Sequence, residues 1–457
     1  MEFSTEQLKP LAIELAQMVL QGVKQEGNGC LVNQIETAMR QNLQKIGQQA
    51  MGMLLTQAEE KPERSIECEC GGELAYQRRR KAKVFSVFGW VEYERSYYAG
   101  CQCKQGKAPL DKRFGLEPGQ VTSGLAALIG MAGVEKAFKH SSQWLEPFLL
   151  FEVSENTIRK ETQRFGELQA EREKEWIEQS QNADWLQQRL RHPRRLPKRM
   201  YGSVDGANVP IDKRSSEAEE GEWREMKAGC WYTVEPVPQS QQRKRHRRKK
   251  EIGHQALRAK KIGYFCAIAE VEQFGHLFWA TGCQAQADLV HELVFVCDGA
   301  KWIWKMIELY YPNAVQIVDW HHAEDRLIRI AKEAFSAQEA DQWLLTCRSD
   351  LWHGNVEKVI QACAPLASRS EQAAQAFAYF RNNIHRMRYD AFREQGYMIG
   401  SGIVESECKQ IVALRLKLPG AQWDVPGAVS TAKARAAWLS GDWLSLSALR
   451  ALLPLAA

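Results

Sequence analysis

Three acidic residues stand in settings typical of metal-dependent phosphoryl transfer. Asp205 and Asp298 each end an apolar stretch and are each followed by glycine, and Glu405 lies near the start of a predicted helix, 403–416. Two strand ends and one helix can bring three carboxylates together around two Mg²⁺ or Mn²⁺ ions. Two-metal sites of this kind activate water or a 3′-hydroxyl and stabilise the leaving oxygen of an in-line displacement. The pattern therefore predicts that these three acids bind metal and cut DNA.

Other interpretations of these acids remain open from the residues alone. Asp319 ends the next predicted strand and competes with Asp298 for the role of second carboxylate, although it is also placed to cap the following helix. An Asp-Gly pair at a strand end is a common turn. A glutamate in a first helical turn, such as Glu405, is favoured by the helix dipole alone.

Four of the 12 cysteines form two close pairs, Cys68 with Cys70 and Cys101 with Cys103. Between the pairs, residues 83–98 alternate in polarity and predict a β-hairpin that turns near Gly89. Two cysteine pairs joined by a hairpin predict a zinc ribbon that holds one Zn²⁺ ion, although C-x-x-C is a commoner spacing than the C-x-C found here.

Two dense cationic tracts, 191–199 and 243–250, predict contact with nucleic-acid phosphates. In the second tract the predicted contacts are Arg243, Lys244, Arg245, Arg247, Arg248, Lys249 and Lys250. Upstream, Ser154 is a good N-cap for a basic helix with Arg159 and Lys160, which fits a helix-turn-helix DNA reader. Lys409 follows Glu405 on the predicted helix and is a further predicted DNA contact.

Length and composition set the general class. A chain of 457 residues predicts several domains, and 44% hydrophobic with 26% charged residues is ordinary for globular protein. No apolar run is long enough to span a bilayer, and the N-terminus lacks the features of a signal peptide. We therefore expect a cytoplasmic protein that does not bind membranes.

The predicted fold class is α+β and multidomain. Between 200 and 334, three long strands and then alternating strands and helices predict an RNase H-like core with a mixed five-stranded sheet. The predicted strands are 201–210, 223–234, 262–271, 293–297 and 314–318, and the predicted helices are 300–311 and 321–334. The other predicted regions are N-terminal helices (1–60), a zinc-ribbon-like domain (61–118), a helical region (119–190), a helical insertion (335–395), the core end with the catalytic helix (396–425) and C-terminal helices (426–457).

Several short strings resemble bacterial insertion-sequence transposases of the DDE class, most closely the ISKra-type group and distantly the Mutator-like enzymes. The resemblance rests on Ser203–Gly206, Trp223–Gly229, Asp298–Trp302, Val318–Ala323 and Gly400–Ser406. The last of these, Gly-Ser-Gly-Ile-Val-Glu-Ser, is the most specific.

The resemblance implies a catalytic triad of Asp205, Asp298 and Glu405, with Asp319 as the alternative second acid. It also implies a DNA transposase that binds terminal inverted repeats, cleaves with Mg²⁺ and transfers the freed 3′-end to target DNA. Pairing of two element ends implies a homodimer. The competing hypotheses are a DNA-binding protein with an inactive RNase H-like core and a structure-specific nuclease.

Overall fold

The protein is α+β and folds into two compact units. The computed structural model describes residues 31–58, 62–117, 119–191, 196–212, 223–238, 257–400 and 408–452, together with Ile13 and Gln17. The N-terminal unit comprises Met1–Phe165 with Leu444–Ala457, and the sheet unit comprises Gly166–Trp443. No helix among the described residues has the length and apolarity that crossing a bilayer requires.

A small antiparallel sheet organises the N-terminal unit. Its three strands are β1 (Ser65–Glu67), β2 (Glu73–Ser86) and β3 (Gly89–Ala99), in that spatial order. Ser86 pairs with Gly89, so the hairpin turns where the alternating pattern predicted. Helix α1 (Leu31–Gln57) packs against β3, and helix α2 (Pro109–Phe114) lies beside the same strand.

Helix α1 leaves several of its larger apolar side chains accessible: Met39, Leu43 and Met53 are 43%, 48% and 41% exposed. The contact with the sheet is made through small residues instead. A Cβ atom at Gly52 would lie 2.4 Å from the main-chain oxygen of Glu92, so the two backbones approach too closely for a large side chain.

Three further helices lie in this unit: α3 (Ser123–Glu135), α4 (Phe138–Leu149) and the start of α5 (Glu155–Ser180). The predicted N-cap of α5 is confirmed, because the Thr157 amide donates to Ser154 Oγ at 3.1 Å. A short helix, α6 (Ala183–Arg191), follows in the sheet unit.

The sheet unit is built on a mixed five-stranded sheet. The strands are β4 (Arg199–Pro210), β5 (Trp223–Pro236), β6 (Leu257–Ala267), β7 (Glu292–Cys297) and β8 (Val315–Val318). Their spatial order is β6-β5-β4-β7-β8. The pairs β4–β5 and β5–β6 are antiparallel, whereas β4–β7 and β7–β8 are parallel.

The third strand differs from its prediction at both ends. Strand β6 begins at Leu257 and ends at Ala267, and the residues after it form a helix, α7 (Val271–Ala285), that the sequence analysis missed. Helix α7 covers one face of the sheet, where Phe278 stacks on Trp231 with ring centroids 5.1 Å apart. The indole N–H of Trp231 donates to Thr281 Oγ1 at 3.1 Å and fixes the helix to β5.

The remaining elements are helical, as predicted. Helix α8 (Lys301–Tyr310) joins β7 to β8, and α9 (Trp320–Ala334) follows β8. The segment 335–395 contains no strand in the structure; its α-helices are α10 (Ala337–Trp352), α11 (Val356–Cys363), α12 (Glu371–Asn382) and α13 (Tyr389–Glu394). The chain ends with a π-helix (Cys408–Ala413), α14 (Leu414–Leu416), α15 (Val425–Leu439) and α16 (Trp443–Leu452).

Candidate functional site

The register of the parallel strands places three aspartates in one row across the sheet. Gly202 of β4 lies opposite Phe295 of β7, the last pair of that ladder, and three residues further along the chain are Asp205, still in β4, and Asp298, directly after β7. Cys297 of β7 lies opposite Val318 of β8, and the next residues are Asp298 and Asp319. Neighbouring strands lie about 4.8 Å apart. Asp298 therefore occupies the middle of the row, with Asp205 and Asp319 on either side.

Asp205 lies inside its strand, so the interpretation of Asp205 and Gly206 as a turn at a strand end is wrong, whereas the strand predicted over 201–210 matches β4. Strand β4 continues to Pro210, and Asp205 pairs with Ala228 in the ladder to β5. The antiparallel ladder to β5 continues on both sides of Asp205, from Tyr201 to Pro210, so the main chain at Asp205 is held in the sheet. Its Oδ1 accepts a hydrogen bond from the Gly206 amide at 2.7 Å, and its side chain is partly accessible.

Asp298 lies in a tight turn directly after β7. Gly299 has a φ of +92°, a left-handed conformation that L-residues other than glycine rarely adopt. The Ala300 amide donates to Asp298 Oδ1 at 2.8 Å. Asp298 is partly accessible, whereas Cys297 before it is fully buried. The turn therefore takes the chain out of the hydrophobic core and places the Asp298 carboxylate where it can bind a ligand.

Asp319 has a different role in the structure. It is fully buried, and its Oδ1 accepts hydrogen bonds from the amides of His321 at 2.7 Å and His322 at 3.3 Å. It is thus the N-cap of helix α9. Asp319 also stands one strand further from Asp205 than Asp298 does, so Asp298 is the better placed partner for Asp205.

Two tyrosines from the helical segment 335–395 hold the chain next to these aspartates. The Tyr379 hydroxyl donates to the main-chain oxygen of Asp298 at 2.7 Å, and the Tyr389 hydroxyl donates to that of Val318 at 3.0 Å. Burial raises the pKa of Tyr379 above its ordinary value, so the phenol stays protonated and able to donate. The Arg326 guanidinium carbon lies 3.9 Å from the Tyr379 ring centroid.

Glu405 lies outside the described residues, and the side chain of Lys409 is likewise outside the description. The described flanks of this segment meet the sheet close to the aspartate row. The Trp320 amide donates to the Ile399 main-chain oxygen at 2.9 Å, and the helix from Cys408 packs against β4 and β5. Side chains alternate along a strand, so Tyr201 lies on the same face of β4 as Asp205. The Tyr201 hydroxyl accepts a hydrogen bond from the Met398 amide at 3.2 Å, which ties the described end of this segment to that face.

The four paired cysteines form a compact cluster at the base of the β2–β3 hairpin. Their Sγ atoms all lie within 4.8 Å of one another, with 3.5 Å between Cys68 and Cys103 and 3.2 Å between Cys70 and Cys101. Four thiolates around a tetrahedral Zn²⁺ at 2.3 Å would be about 3.8 Å apart. The donor set and the spacing therefore fit a zinc ion. Among the described residues, no other group of at least three Cys, His, Asp or Glu side chains converges in this way.

The glycines after Cys70 belong to this metal-binding turn. The Cys68 amide donates to the Gly72 main-chain oxygen at 2.7 Å, and Gly71 has a φ of +82°. A Cβ atom at Gly72 would lie 2.6 Å from Cys101 Sγ. The Cys-x-Cys-Gly-Gly string is therefore what allows the second cysteine pair to approach the first.

The residues that were predicted to contact DNA differ in their placement in the structure. Arg159 and Lys160 are exposed on α5, although the Arg159 guanidinium also donates to Asn156 Oδ1 at 2.7 Å. The tract 243–250 lies outside the described residues. From the tract 191–199, Arg199 bonds within the protein, to Glu292 and to the Gly396 main-chain oxygen at 2.9 Å, so it fixes the start of β4.

A third cationic run was missed by the sequence analysis. Residues Arg78, Arg79, Arg80 and Lys81 follow one another along β2, and all four are exposed. Alternation of polarity predicts the hairpin from residue 83 onward, where the pattern is regular. The run of four cations just before residue 83 would by itself have indicated a further basic surface.

Comparison of the sequence with protein-family models finds no match, and a search of curated proteins finds none either.

Proposed function

We propose that this chain is a DDE transposase whose core is RNase H-like, and that Asp205, Asp298 and Glu405 are its catalytic acids. The observation that carries the proposal is the row of aspartates: β4 and β7 are neighbouring parallel strands, and Asp205 and Asp298 each lie three residues beyond the last pair of their ladder, Gly202 with Phe295. Neighbouring strands are about 4.8 Å apart, so carboxylates at this end of β4 and β7 would be within reach of one shared divalent ion. Neither acid is sealed in the core.

The sheet supports the RNase H-like part of the proposal. Three antiparallel strands, β6-β5-β4, continue into the parallel strands β7 and β8, with helices between β7 and β8 and after β8. This is the order that the sequence analysis predicted for such a core. The helix from Cys408 packs on β4, the strand that carries Asp205, and so suits a third acid a few residues upstream. Its first turns are π-helical, an irregularity often found at functional sites.

In this proposal, Asp205, Asp298 and Glu405 would hold two Mg²⁺ ions. Such ions would activate a water for the first cut and stabilise the leaving oxygen in both cleavage and strand transfer. Asp205 contributes a carboxylate on a rigid ladder, and Asp298 contributes one on a turn braced by Tyr379. Asp319 keeps α9 in place as its N-cap. The exposed Arg159 and Lys160 contact DNA, and two copies of the chain pair two element ends.

The test is cleavage of labelled DNA that carries the repeats bracketing the gene. With Mg²⁺ or Mn²⁺, the unmodified protein should nick this DNA and join the 3′-end to a target duplex. Asp205→Asn, Asp298→Asn and Glu405→Gln should each abolish both steps, because each removes a metal-binding oxygen. Asp319→Asn is the matched control and should retain metal-dependent activity once its loss of stability is allowed for. Full cleavage by any of the three variants removes that residue from the triad.

One observation favours a second candidate, a DNA-binding protein that does not cut. Each aspartate of the row accepts a nearby main-chain amide through its Oδ1 atom, which a purely structural carboxylate would also do. Under this alternative the unmodified protein binds repeat DNA, and no nicking appears with either metal. Cutting of branched DNA without joining would instead identify a structure-specific nuclease.

A further inference from the structure

The β2–β3 hairpin presents the densest run of positive charge among the described residues, and it belongs to the N-terminal unit, whereas the aspartate row belongs to the sheet unit. Residues Gln77–Lys81 are all exposed, and four of these five residues are basic. Lys83 is exposed further along the same strand. The segment belongs to neither tract that the sequence analysis assigned to DNA.

The ladder to β3 shows where this charge is left without a neighbouring acid. Lys81 and Lys83 lie opposite Glu94 and Glu92, so their charges are partly balanced across the strands. Arg78 lies opposite Tyr97, and Arg80 lies opposite Arg95, with no acid at either position. The local excess of positive charge is therefore centred on Arg78 and Arg80.

Arg95 does not add to this excess, because it is already paired. Its Nε atom lies 2.5 Å from Asp111 Oδ2, and both side chains are largely buried. The Tyr93 hydroxyl donates to the other oxygen of Asp111 at 2.6 Å. The pair fixes α2 to the hairpin, so the strand that carries Arg78 and Arg80 is a rigid support.

The aromatic rings of the hairpin indicate which kind of nucleic acid fits. The Arg80 guanidinium carbon lies 3.6 Å from the Tyr97 ring centroid, and Lys83 Nζ lies 4.8 Å from that of Trp90. The Trp90 ring also stacks on Phe85 at 4.8 Å. Single-strand binders use open rings on which bases stack. Here a cation lies over each of these rings and Phe85 stacks on Trp90, which is 41% exposed, so the aromatic surface open to bases is reduced while guanidinium groups face phosphates.

We propose that the exposed face of β2 around Arg78 and Arg80 binds the sugar–phosphate backbone of duplex DNA. The cysteine cluster closes the hairpin at its base, and α1 packs against its tip, where a Cβ atom at Gly47 would meet the Phe88 ring. A surface held at both ends loses little conformational entropy on binding. The inference rests on the proposed function only in taking DNA as the partner, and it adds a contact surface outside the catalytic core.

The experiment measures binding of a random-sequence DNA duplex by fluorescence anisotropy, without divalent metal and with the Asp205→Asn protein so that cleavage plays no part. The variant is Arg78→Gln with Arg80→Gln. Loss of two phosphate contacts should lower the slope of log K against log salt concentration by about 1.8, at about 0.9 per contact. If the variant and its parent bind equally at 1 M salt, this difference in slope makes the variant bind about 60-fold more weakly than its parent at 0.1 M salt.

Two controls separate charge from folding. Lys332→Gln with Arg369→Gln removes the same charge from exposed positions of the sheet unit and should leave the slope within error. Arg78→Lys with Arg80→Lys keeps the charge and should restore most of the binding. Unchanged zinc content and circular dichroism would show that the glutamine variant is folded.

The outcomes distinguish this inference from the proposed function. If the glutamine variant binds duplex DNA with an unchanged slope, the hairpin surface is not a DNA contact, whatever the protein cleaves. If binding falls as expected but the unmodified protein never cuts DNA, the hairpin inference stands and the transposase proposal fails. A larger loss for oligo(dT) or double-stranded RNA than for duplex DNA would overturn the choice of duplex DNA as the partner.

Discussion

Replacing Tyr379 by phenylalanine tests whether Asp298, rather than Asp319, is the second metal-binding acid. The change removes one hydroxyl and keeps the ring that packs against Gly299, where a Cβ atom would lie 2.6 Å from the ring. The Asp298 main-chain oxygen then loses its 2.7 Å donor. Leaving a largely buried acceptor without its partner costs about 1–3 kcal/mol of folding stability.

The same change loosens the turn that presents the Asp298 carboxylate. Removing hydrogen-bond partners that orient metal ligands commonly weakens metal affinity or activity by about 10–100-fold. We therefore expect Tyr379→Phe to raise the Mg²⁺ concentration for half-maximal DNA cleavage by at least tenfold. The assay is nicking of repeat DNA over a Mg²⁺ titration, with thermal unfolding measured on the same preparations.

Tyr389→Phe is the matched control for this variant. Its hydroxyl donates to the Val318 main-chain oxygen at 3.0 Å, so it removes an equivalent bond beside Asp319. Both variants should lose similar stability, but only Tyr379→Phe should change the metal requirement. Equal metal requirements in the two variants, or a shift confined to Tyr389→Phe, would refute the choice of Asp298.

Three further predictions concern metal content and stability. Cys101→Ser should lower zinc, measured by elemental analysis, from about one ion per chain to well below one, because it removes a ligand of the cysteine cluster; an unchanged zinc content would contradict this. Lys433 donates to Glu173 and to the Cys266 main-chain oxygen at 3.0 Å. Lys433→Met should lower the free energy of unfolding, measured with denaturant, by about 3–5 kcal/mol, because it leaves a buried carboxylate unpaired. Adding Glu173→Gln to the same chain should recover part of the loss. Burial raises the pKa of Glu292, but hydrogen bonds from Tyr397 and Arg199 outweigh burial and hold this pKa below its ordinary value. The stability that the Glu292 carboxylate contributes is therefore present above its ordinary pKa and is lost as the pH falls through the lowered pKa. Glu292→Gln should flatten the plot of unfolding free energy against pH in the acid range, and an equally steep plot would argue against the pairing.

Local patterns were sufficient to predict the cysteine hairpin and most sheet strands. Alternation between residues 83 and 98 fixed the hairpin, and the turn falls at Gly89 as expected. The apolar runs before Asp298 and Asp319 correspond to β7 and β8 within one residue at either end. In each case the residues that define the element are neighbours in the chain.

Elements determined by distant partners were harder to predict. The start of β6, residues 257–261, carries three cations (Arg258, Lys260 and Lys261) and was not expected to be a strand. It forms because it pairs with the end of β5 at the sheet edge. Helix α7 is rich in aromatic residues and glycine, which disguised its period. A Cβ atom at Gly275 would clash with Tyr310, and one at Gly282 would clash with Tyr311. These two glycines therefore allow α7 to pack closely against the end of α8.

The sequence predicts the residues of the candidate site but not their arrangement, because the arrangement depends on partners that are distant in the chain. The sequence identified Asp205, Asp298 and Asp319 from their local settings. It could not rank Asp298 above Asp319, because the ranking depends on which strand lies next to β4 and on the capping bonds of α9. It also could not anticipate Tyr379, which is brought to Asp298 by a helix distant in the chain.

The most direct test of the central claim is a double-mutant cycle on Mn²⁺ binding, measured by calorimetry with the cysteine cluster filled with zinc. If Asp205 and Asp298 hold the same ions, Asp205→Asn and Asp298→Asn should each remove most of the binding free energy. The double variant should then bind scarcely more weakly than either single variant. Losses that simply add, or a protein that binds no Mn²⁺ before substitution, would contradict the shared site.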